Sequence, residues 1–299
     1  MCDRDISDIR YICALEPEFP EKLRNIPDPP EGIYVKGRLP DPGKSVVSII
    51  GSRNNSEYGR GMAVYFAKTL SEHGVQIVSG MARGIDGLSQ NAAVKAGGSS
   101  FGILGCGIDM IYPKENRQLY ESILEKGGLI SEYPPGTPPQ SFLFPQRNRI
   151  ISALSDILLV IEAKERSGTA ITVRFALEQG RDVFAVPGRV TDPLSCGCNR
   201  LISDGAGIAT CPGDILEALG LIKTGNRRYK KINLKKFSNL TAKQLKIMDH
   251  LDYNPVSINE IASGTGYDLP ELMLELLKLE LYGCIEKAGQ GFYILKMNT

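Results

Sequence analysis

The sequence of 299 residues contains no tryptophan and only two histidines, His73 and His250. Neither histidine follows a predicted strand, which argues against a Ser-His-Asp hydrolase. The longest apolar runs, such as Ile157–Ile161, have the length of a β-strand, and the charged N-terminus leads into no apolar segment of a signal peptide. No GxGxxG or GxxxxGK[ST] motif occurs, so we expect neither an NAD enzyme nor a P-loop ATPase, and no membrane association.

The sequence also lacks an excess of charge of either sign, since it contains 35 lysines and arginines and 34 acidic residues and its formal net charge is +1. Domains that hold nucleic acid through overall basicity carry a strong excess of positive charge. Any site for a polyanion in this chain must therefore be local.

The cysteines follow no metal or disulfide pattern. Seven are scattered along the chain, an odd number that indicates a reduced, cytoplasmic protein. Cys196 and Cys198 are too close in sequence for a zinc CxxC pair and have no second Cys or His pair nearby. We expect turn cysteines and no metal site.

From Val46 onward, short β-branched runs alternate with helical patterns, which is typical of βαβ units and predicts an α/β fold with a doubly wound, mostly parallel sheet. The predicted strands are 46–50, 75–78, 100–104, 128–131, 157–161 and 182–186. The predicted helices between them are 59–73, 86–97, 114–126, 146–154 and 169–179.

Four segments are predicted along the chain. Residues 1–44, rich in proline and charge, form a strap on the main domain with one possible edge strand at 33–35, and the main domain covers 45–220. Residues 221–238 are a basic linker, favoured as a solvated segment over a nucleic-acid arm because linkers are commonly charged. Residues 239–299 predict three helices and a hairpin at Gly289–Gly291, which is typical of a winged-helix domain.

The predicted strand ends carry small, polar and basic residues. In open α/β sheets the carboxyl ends of the strands lead into helix N-termini, whose free N–H groups favour anions. The alternative for each turn taken singly is an ordinary capped helix with an exposed arginine. The candidate phosphate ligands at these ends are Gly51, Ser52, Arg53, Gly80, Arg83, Gly84, Lys164, Ser167, Gly168 and Thr169.

A further stretch combines aromatic and basic side chains: Phe142 and Phe144 lie close to Arg147, Asn148 and Arg149. Aromatics that stack on bases, at about 1 to 3 kcal/mol each, together with arginines on phosphates, hold single-stranded nucleic acid. The alternative for one of the aromatics is a place in the core.

The turn after the third predicted strand contains glycines that could face a ligand. Its Tyr112-Pro113 pair is explained equally well as a packing device at the start of a helix.

In order and spacing these motifs resemble the DNA-processing protein A family, also called Smf, over most of residues 17–219. The motifs that carry the resemblance are Gly51-Ser-Arg53, Ser79-Gly-Met-Ala-Arg-Gly-Ile-Asp86, Leu104-Gly-Cys-Gly-Ile-Asp109, Tyr112-Pro113, Phe144-Pro-Gln-Arg-Asn-Arg-Ile-Ile151, Ser167-Gly-Thr169, Phe184-Ala-Val-Pro-Gly188 and Gly197-Cys-Asn199.

The resemblance implies a Rossmann-like protein that binds single-stranded DNA taken up in natural transformation, protects it and helps to load the RecA recombinase. It implies a homodimer formed through the Rossmann-like domain, with no catalytic step and no cofactor. It also implies DNA contacts by Arg53, by Lys164 and by the basic residues from Phe144 to Arg149. Only about sixteen residues precede Pro17, so we expect no N-terminal helical (SAM-like) domain.

Two other functions remain as alternatives. Nucleoside monophosphate phosphoribohydrolases have a similar fold and a PGGxGTxxE motif, but residues 164–173 lack the paired glycines and the glutamate. A duplex-reading winged helix is disfavoured because Leu269–Leu281 and its entry carry four acids against Lys278. The surplus of apolar residues in that helix suggests a protein-contact surface instead, unless the small domain simply buries most of them.

Overall fold

A computed structural model describes residues 8–165, 167–222, 240–251 and 255–295. The chain divides into two compact units, Met1–Arg227 and Arg228–Thr299. Apart from Leu221 and Ile222, the predicted basic linker lies outside the described residues. The division into four segments stays a prediction.

The described part of the first unit contains a nine-stranded sheet in the order β1-β2-β6-β5-β4-β3-β7-β8-β9. Strands β3 to β9 are parallel, while β2 is antiparallel to both β1 and β6. The strands are β1 (Ile9–Cys13), β2 (Gly32–Gly37), β3 (Val46–Ile50), β4 (Gln76–Ser79), β5 (Ser100–Leu104), β6 (Gly128–Ser131), β7 (Ile157–Val160), β8 (Asp182–Ala185) and β9 (Gly207–Ile208).

Helices cover both faces of this sheet, which confirms the predicted doubly wound α/β class. The helices are α1 (Glu21–Arg24), α2 (Glu57–Glu72), α3 (Ile85–Lys95), α4 (Arg117–Lys126), α5 (Leu143–Leu154), α6 (Gly168–Glu178), α7 (Cys196–Ser203) and α8 (Pro212–Ala218). A short 3₁₀ turn, Lys114–Asn116, leads into α4.

Alternation along the strands decides which layer each side chain joins. On β3, Val47 and Ile49 pack in the layer of α2, α3 and α8, whereas Val46 and Ile50 pack in the layer of α5 and α6. A parallel strand between two helical layers must be apolar on both faces, and all five residues of β3 are buried. The carboxyl ends of the central strands are therefore held rigidly from both sides.

All six predicted strands are present, with ends that differ by at most one residue. The N-terminal segment contributes two strands, β1 and β2, where the sequence predicts one edge strand at 33–35. The prediction of an edge is wrong, because β2 pairs with both β1 and β6 and the edge is β1. Strand β9 and helices α7 and α8 were not predicted, because a two-residue strand and short helices leave too few residues for a periodic pattern.

The described residues of the second unit form a winged-helix domain, as predicted. Helices α9 (Ala242–Met248), α10 (Ile258–Thr265) and α11 (Leu269–Leu281) begin at the side-chain caps Thr241, Ser257 and Asp268. The strands β10 (Val256–Ser257), β11 (Ile285–Gly289) and β12 (Phe292–Leu295) form an antiparallel sheet in the order β10-β12-β11.

Helix α11 has apolar residues on two faces. Leu272, Leu276 and Leu279 are buried in the core of the domain. A second set stays exposed: Leu269, Met273, Leu274, Leu277 and Leu281. The domain therefore does not bury the apolar surplus of this helix within its own core.

Candidate functional site

A cavity of about 560 Å³ opens at the carboxyl ends of the parallel strands, between the loop after β3, the loop after β4 and the N-terminal parts of α5 and α6. We call it the strand-end pocket. Ten of the predicted site residues line it: Gly51, Ser52, Arg53, Phe144, Arg147, Asn148, Lys164, Ser167, Gly168 and Thr169. Four do not line it: Gly80, Arg83, Gly84 and Arg149.

Phe144, in the first turn of α5, is surrounded by other side chains. The ring of Tyr112 stacks on it with a centroid distance of 5.3 Å and an interplanar angle of 30°. The guanidinium carbons of Arg53 and Arg147 lie 5.8 and 5.9 Å from the centroid of the Phe144 ring. Gly105 allows this placement, because a Cβ atom there would lie 2.7 Å from Phe144 Cδ1. The result is an aromatic wall flanked by two cations.

Arg147 faces the pocket but is only 4% exposed. Its Nη1 donates to the carbonyl oxygen of Gly80 at 2.8 Å and to that of Ile103, so the guanidinium joins the ends of β4 and β5. Burial lowers the pKa of Arg147, and the neighbouring Asp86 opposes this effect. Arg147 therefore supplies positive charge near the pocket while several of its N–H groups are already used.

Asp86 is the counterpart of Arg147 at the start of α3. Burial raises the pKa of Asp86, although the charge of Arg147 and a hydrogen bond from the Gly80 N–H lower it. Gly80 has no room for a side chain here, since its Cβ would lie 2.7 Å from both Arg147 Nη2 and Asp86 Oδ2. Gly80 therefore has a structural role beneath the pocket that it does not line, and its role as a phosphate ligand stays a prediction.

Arg149 lies two residues further along α5 and is not brought into the pocket. A helix turns by about 200° over two residues, which directs Arg149 away from Arg147. Its guanidinium forms a bidentate pair with Glu132, at 2.9 and 2.6 Å, and its Nε donates to Asp28 at 2.8 Å. The buried guanidinium of Arg149, which the sequence predicts to contact DNA, is therefore occupied by ion pairs with Glu132 and the exposed Asp28.

The loop that carries Arg53 crosses the backbone of the β4–α3 turn. Gly84 adopts a φ of 76°, and a Cβ atom there would collide with the carbonyl oxygens of Ser52 and Arg53. The Ser52 hydroxyl is used within the loop, where it accepts from the Asn54 N–H at 3.2 Å and donates to the Asn54 carbonyl. Arg53 and Arg83 both have exposed side chains near the carboxyl ends of β3 and β4.

The N-terminus of α6 forms the opposite side of the pocket. Its first turn contains no acidic residue, and no atom of the described residues lies within 4 Å of the position that a Cβ atom would take at Gly168. Ser167 precedes the helix without capping it, and its buried hydroxyl oxygen has no hydrogen-bond partner among the residues that the structure describes. Lys164 is exposed beside this helix end. Free N–H groups, the helix dipole and a lysine together favour an anion here.

Sequence reasoning missed the role of three residues. The sequence explains Tyr112 equally well as a packing device and does not place it among the site residues, yet Tyr112 lines the pocket and is 43% exposed. Asp86 and Glu162 are also absent from the predicted site residues: the structure places Asp86 beside Arg147, and Glu162 accepts hydrogen bonds from Ser56. The available signal for Tyr112 was a tyrosine five residues beyond the glycines that follow β5.

The described ranges contain neither a candidate metal site nor a candidate membrane span. No three histidine, cysteine or acidic side chains in these ranges are grouped so that they could hold a metal ion. None of the helices in the same ranges combines the length and the apolar character needed to cross a membrane.

Comparisons with known proteins agree with the motifs. Residues 10–220 match the family model described as "DNA recombination-mediator protein A", and residues 238–291 match the "DprA winged helix domain". Protein Smf of Escherichia coli K12 is 38% identical over 290 residues, which are 96% of this chain and 78% of that protein. DNA processing protein DprA of Bacillus subtilis 168 is 43% identical over 212 residues, 71% of each chain.

Two solved structures are also similar. DNA processing protein A of Streptococcus pneumoniae aligns with a TM-score of 0.68 and 39% identity over 72% of this chain and 75% of that one. DNA processing protein A of Helicobacter pylori aligns with a TM-score of 0.63 and 28% identity over 71% of this chain and 96% of that one. The structure of the second protein is described as giving insight into a single-stranded DNA binding mode.

Proposed function

Because the chain belongs to the DNA recombination-mediator protein A family, we propose that it binds single-stranded DNA in the strand-end pocket. In this proposal it protects incoming strands in natural transformation and helps RecA to assemble on them. The carrying observation is that exposed cations, a helix N-terminus and an aromatic wall meet in one cavity. The single-stranded DNA binding described for the Helicobacter pylori relative supports this proposal.

The pocket offers two kinds of contact that suit a single strand. Arg53, Lys164 and the α6 N-terminus are placed for phosphates, and the aromatic wall is placed for bases. In a duplex the faces of the bases are covered by their neighbours, so a stacking wall is useful only for an unpaired strand. Single-stranded DNA is therefore expected to bind more tightly than duplex.

We further propose that the pocket catalyses no reaction and needs no cofactor. Among the described residues, Asp86 is the carboxylate that lines it, and this group is buried opposite Arg147 rather than free to act as a general base. The phosphoribohydrolase alternative requires such a base beside the ribose.

The partners follow from family membership. We propose RecA as the recombinase that receives the strand, and a homodimer formed through the Rossmann-like domain as the active form. Incoming DNA meets the recombinase where chromosomal DNA lies, which makes the cytoplasm the compartment of this function.

A gel-shift comparison tests the central proposal. The full chain is titrated against a labelled single strand and against the same strand annealed to its complement. Tighter binding of the single strand supports the proposal, while equal or tighter duplex binding contradicts it. The RecA step is tested separately, by asking whether the protein speeds RecA assembly on strands coated with single-strand-binding protein.

A further inference from the structure

The two aromatic rings of the strand-end pocket differ in how much of their surface is free. Phe144 has Tyr112 stacked on it, the Gly105 backbone at its edge and two guanidinium groups within 6 Å of its centroid. A base could stack on Phe144 only by displacing Tyr112 or an arginine. Tyr112, in contrast, is 43% exposed although Phe144 covers one of its faces.

Tyr112 is also fixed in position by its backbone. Its N–H donates to the hydroxyl of Tyr120 on α4 at 3.3 Å, and that hydroxyl donates to the Tyr112 carbonyl at 2.9 Å. Tyr120 itself is buried. A ring held in this way loses little conformational freedom when a ligand packs on it, so binding through it costs less entropy.

The arrangement of Tyr112 and the nearby cations suits contacts to one continuous single strand of DNA. Its ring stacks on Phe144, and Phe144 in turn lies 5.8 Å from the guanidinium of the exposed Arg53. A base on Tyr112 and a neighbouring phosphate on Arg53 would therefore belong to the same short stretch of strand. This places the polar and the aromatic contacts in the arrangement used by single-strand binders.

We propose that Tyr112, and not Phe144, presents the face on which a base of the bound strand stacks, with Phe144 as the support behind it. The inference rests on the proposed function and adds to it a base-contacting residue.

The test separates contacts to bases from contacts to phosphates. The full chain and its Tyr112→Ala, Tyr112→Phe and Arg53→Ala variants are titrated against oligothymidylate and against an abasic strand of the same length, which keeps the phosphates and lacks the bases. Tyr112→Ala should weaken oligothymidylate binding about 5- to 150-fold and leave the abasic strand unaffected. Tyr112→Phe should bind both strands like the wild type, and Arg53→Ala should weaken both.

The contrary outcomes are distinct. Equal losses on both strands for Tyr112→Ala, or no loss on either, would overturn the assignment of Tyr112 while the proposed function stood. A wild-type protein that bound neither strand would overturn the proposed function itself.

The absence of tryptophan allows a direct readout. Tyr112→Trp introduces a single tryptophan into the chain, and stacking of a base on it should quench its fluorescence with oligothymidylate but not with the abasic strand. Tyr11→Trp on β1, where the ring is 51% exposed, is the matched control and should show no quenching. Quenching that was equal with both strands, or equal in the two variants, would refute stacking on Tyr112.

Discussion

Glu162, at the end of β7, accepts hydrogen bonds from both the backbone N–H and the hydroxyl of Ser56, the cap of α2. Ser56 ends the loop that begins at Gly51 and carries Arg53. The Glu162 side chain is fully buried, so this carboxylate links two neighbouring strand ends below the pocket. It thereby holds one end of the loop that carries Arg53.

We predict a pH-dependent contribution of Glu162 to stability. Burial raises the pKa of Glu162 above its ordinary value of 4.5, although the bonds from Ser56 oppose the change. A carboxyl group whose pKa is higher in the folded state than in the unfolded chain stabilises the fold fully at pH values below its pKa in the unfolded chain. This contribution is lost as the pH rises through its pKa in the folded state.

Urea unfolding of the wild type and Glu162→Gln at several pH values measures this contribution, since glutamine does not titrate. The free energy of unfolding of the wild type, minus that of the variant, should fall as the pH rises from 4.5 toward neutrality. A difference that grew with pH would mean that the bonds from Ser56 outweigh burial.

Arg53 is predicted to contribute one phosphate contact. Arg53→Ala should weaken single-strand binding and reduce the slope of log affinity against log salt by about 0.7. Arg60→Ala is the matched control, because Arg60 is an exposed arginine on α2 outside the pocket. Titrations at several salt concentrations check the slopes, and an unchanged slope for Arg53→Ala would remove this residue from the interface.

Arg149 is predicted to support the fold rather than to bind DNA. Arg149→Ala leaves Glu132 and Asp28 without their shared partner and should lower the free energy of unfolding by about 1 to 3 kcal/mol. Arg200→Ala, which breaks an exposed pair with Asp204, should cost less than about 1 kcal/mol. Urea unfolding measures both losses, and single-strand affinity should be unchanged in both variants. Weakened DNA binding by a stably folded Arg149→Ala would contradict this.

The wild-type protein is predicted to release ribose 5-phosphate from AMP no faster than buffer without protein does. The pocket carboxylate Asp86 is only 7% exposed and lies beside the positively charged Arg147, which leaves little of it available to act as a base. A coupled assay for ribose 5-phosphate measures the rate. Release at enzymatic rates that Asp86→Asn abolished would favour the hydrolase.

The winged-helix domain is predicted not to bind duplex DNA. The acids along α11 are paired within the domain, Glu271 with Lys243, Glu275 with Lys278 and Glu280 with Lys287. If α11 entered a groove of duplex DNA, its exposed leucine and methionine side chains would face the DNA phosphates, where a recognition helix needs cations. Titration of the fragment 239–299 with a duplex at physiological salt checks this, and specific binding would refute it.

The sheet could be predicted because its central strands are buried on both faces and therefore appear as continuous apolar runs. Strand β1 could not, since Ile9, Arg10, Tyr11, Ile12 and Cys13 mix apolar and charged residues as an edge strand does. The pairing of β1 with β2 also depends on partners 19 to 27 residues away in sequence.

The grouping of most candidate residues in one pocket could be predicted for a similar reason. Strand ends of a parallel sheet meet at one edge, so residues far apart in sequence could be grouped without coordinates. The difference between Arg147 and Arg149 could not be predicted, because it depends on Glu132 and Asp28, which are 17 and 121 residues from Arg149. Burial of each guanidinium is a tertiary property that the local sequence does not encode.

The central position of β3 has a consequence for the order in which the protein can form. Strand β3 pairs with β7, and the Val46 N–H donates to Asp156 across 110 residues of chain. A growing polypeptide that has emerged from the ribosome only as far as β6 contains Arg53 but lacks α5, Lys164 and α6. Closing so long a loop is slow, and until it closes the β3 edge remains open to other chains. The strand-end pocket is therefore completed late in synthesis, at the step that also covers this aggregation-prone edge of β3.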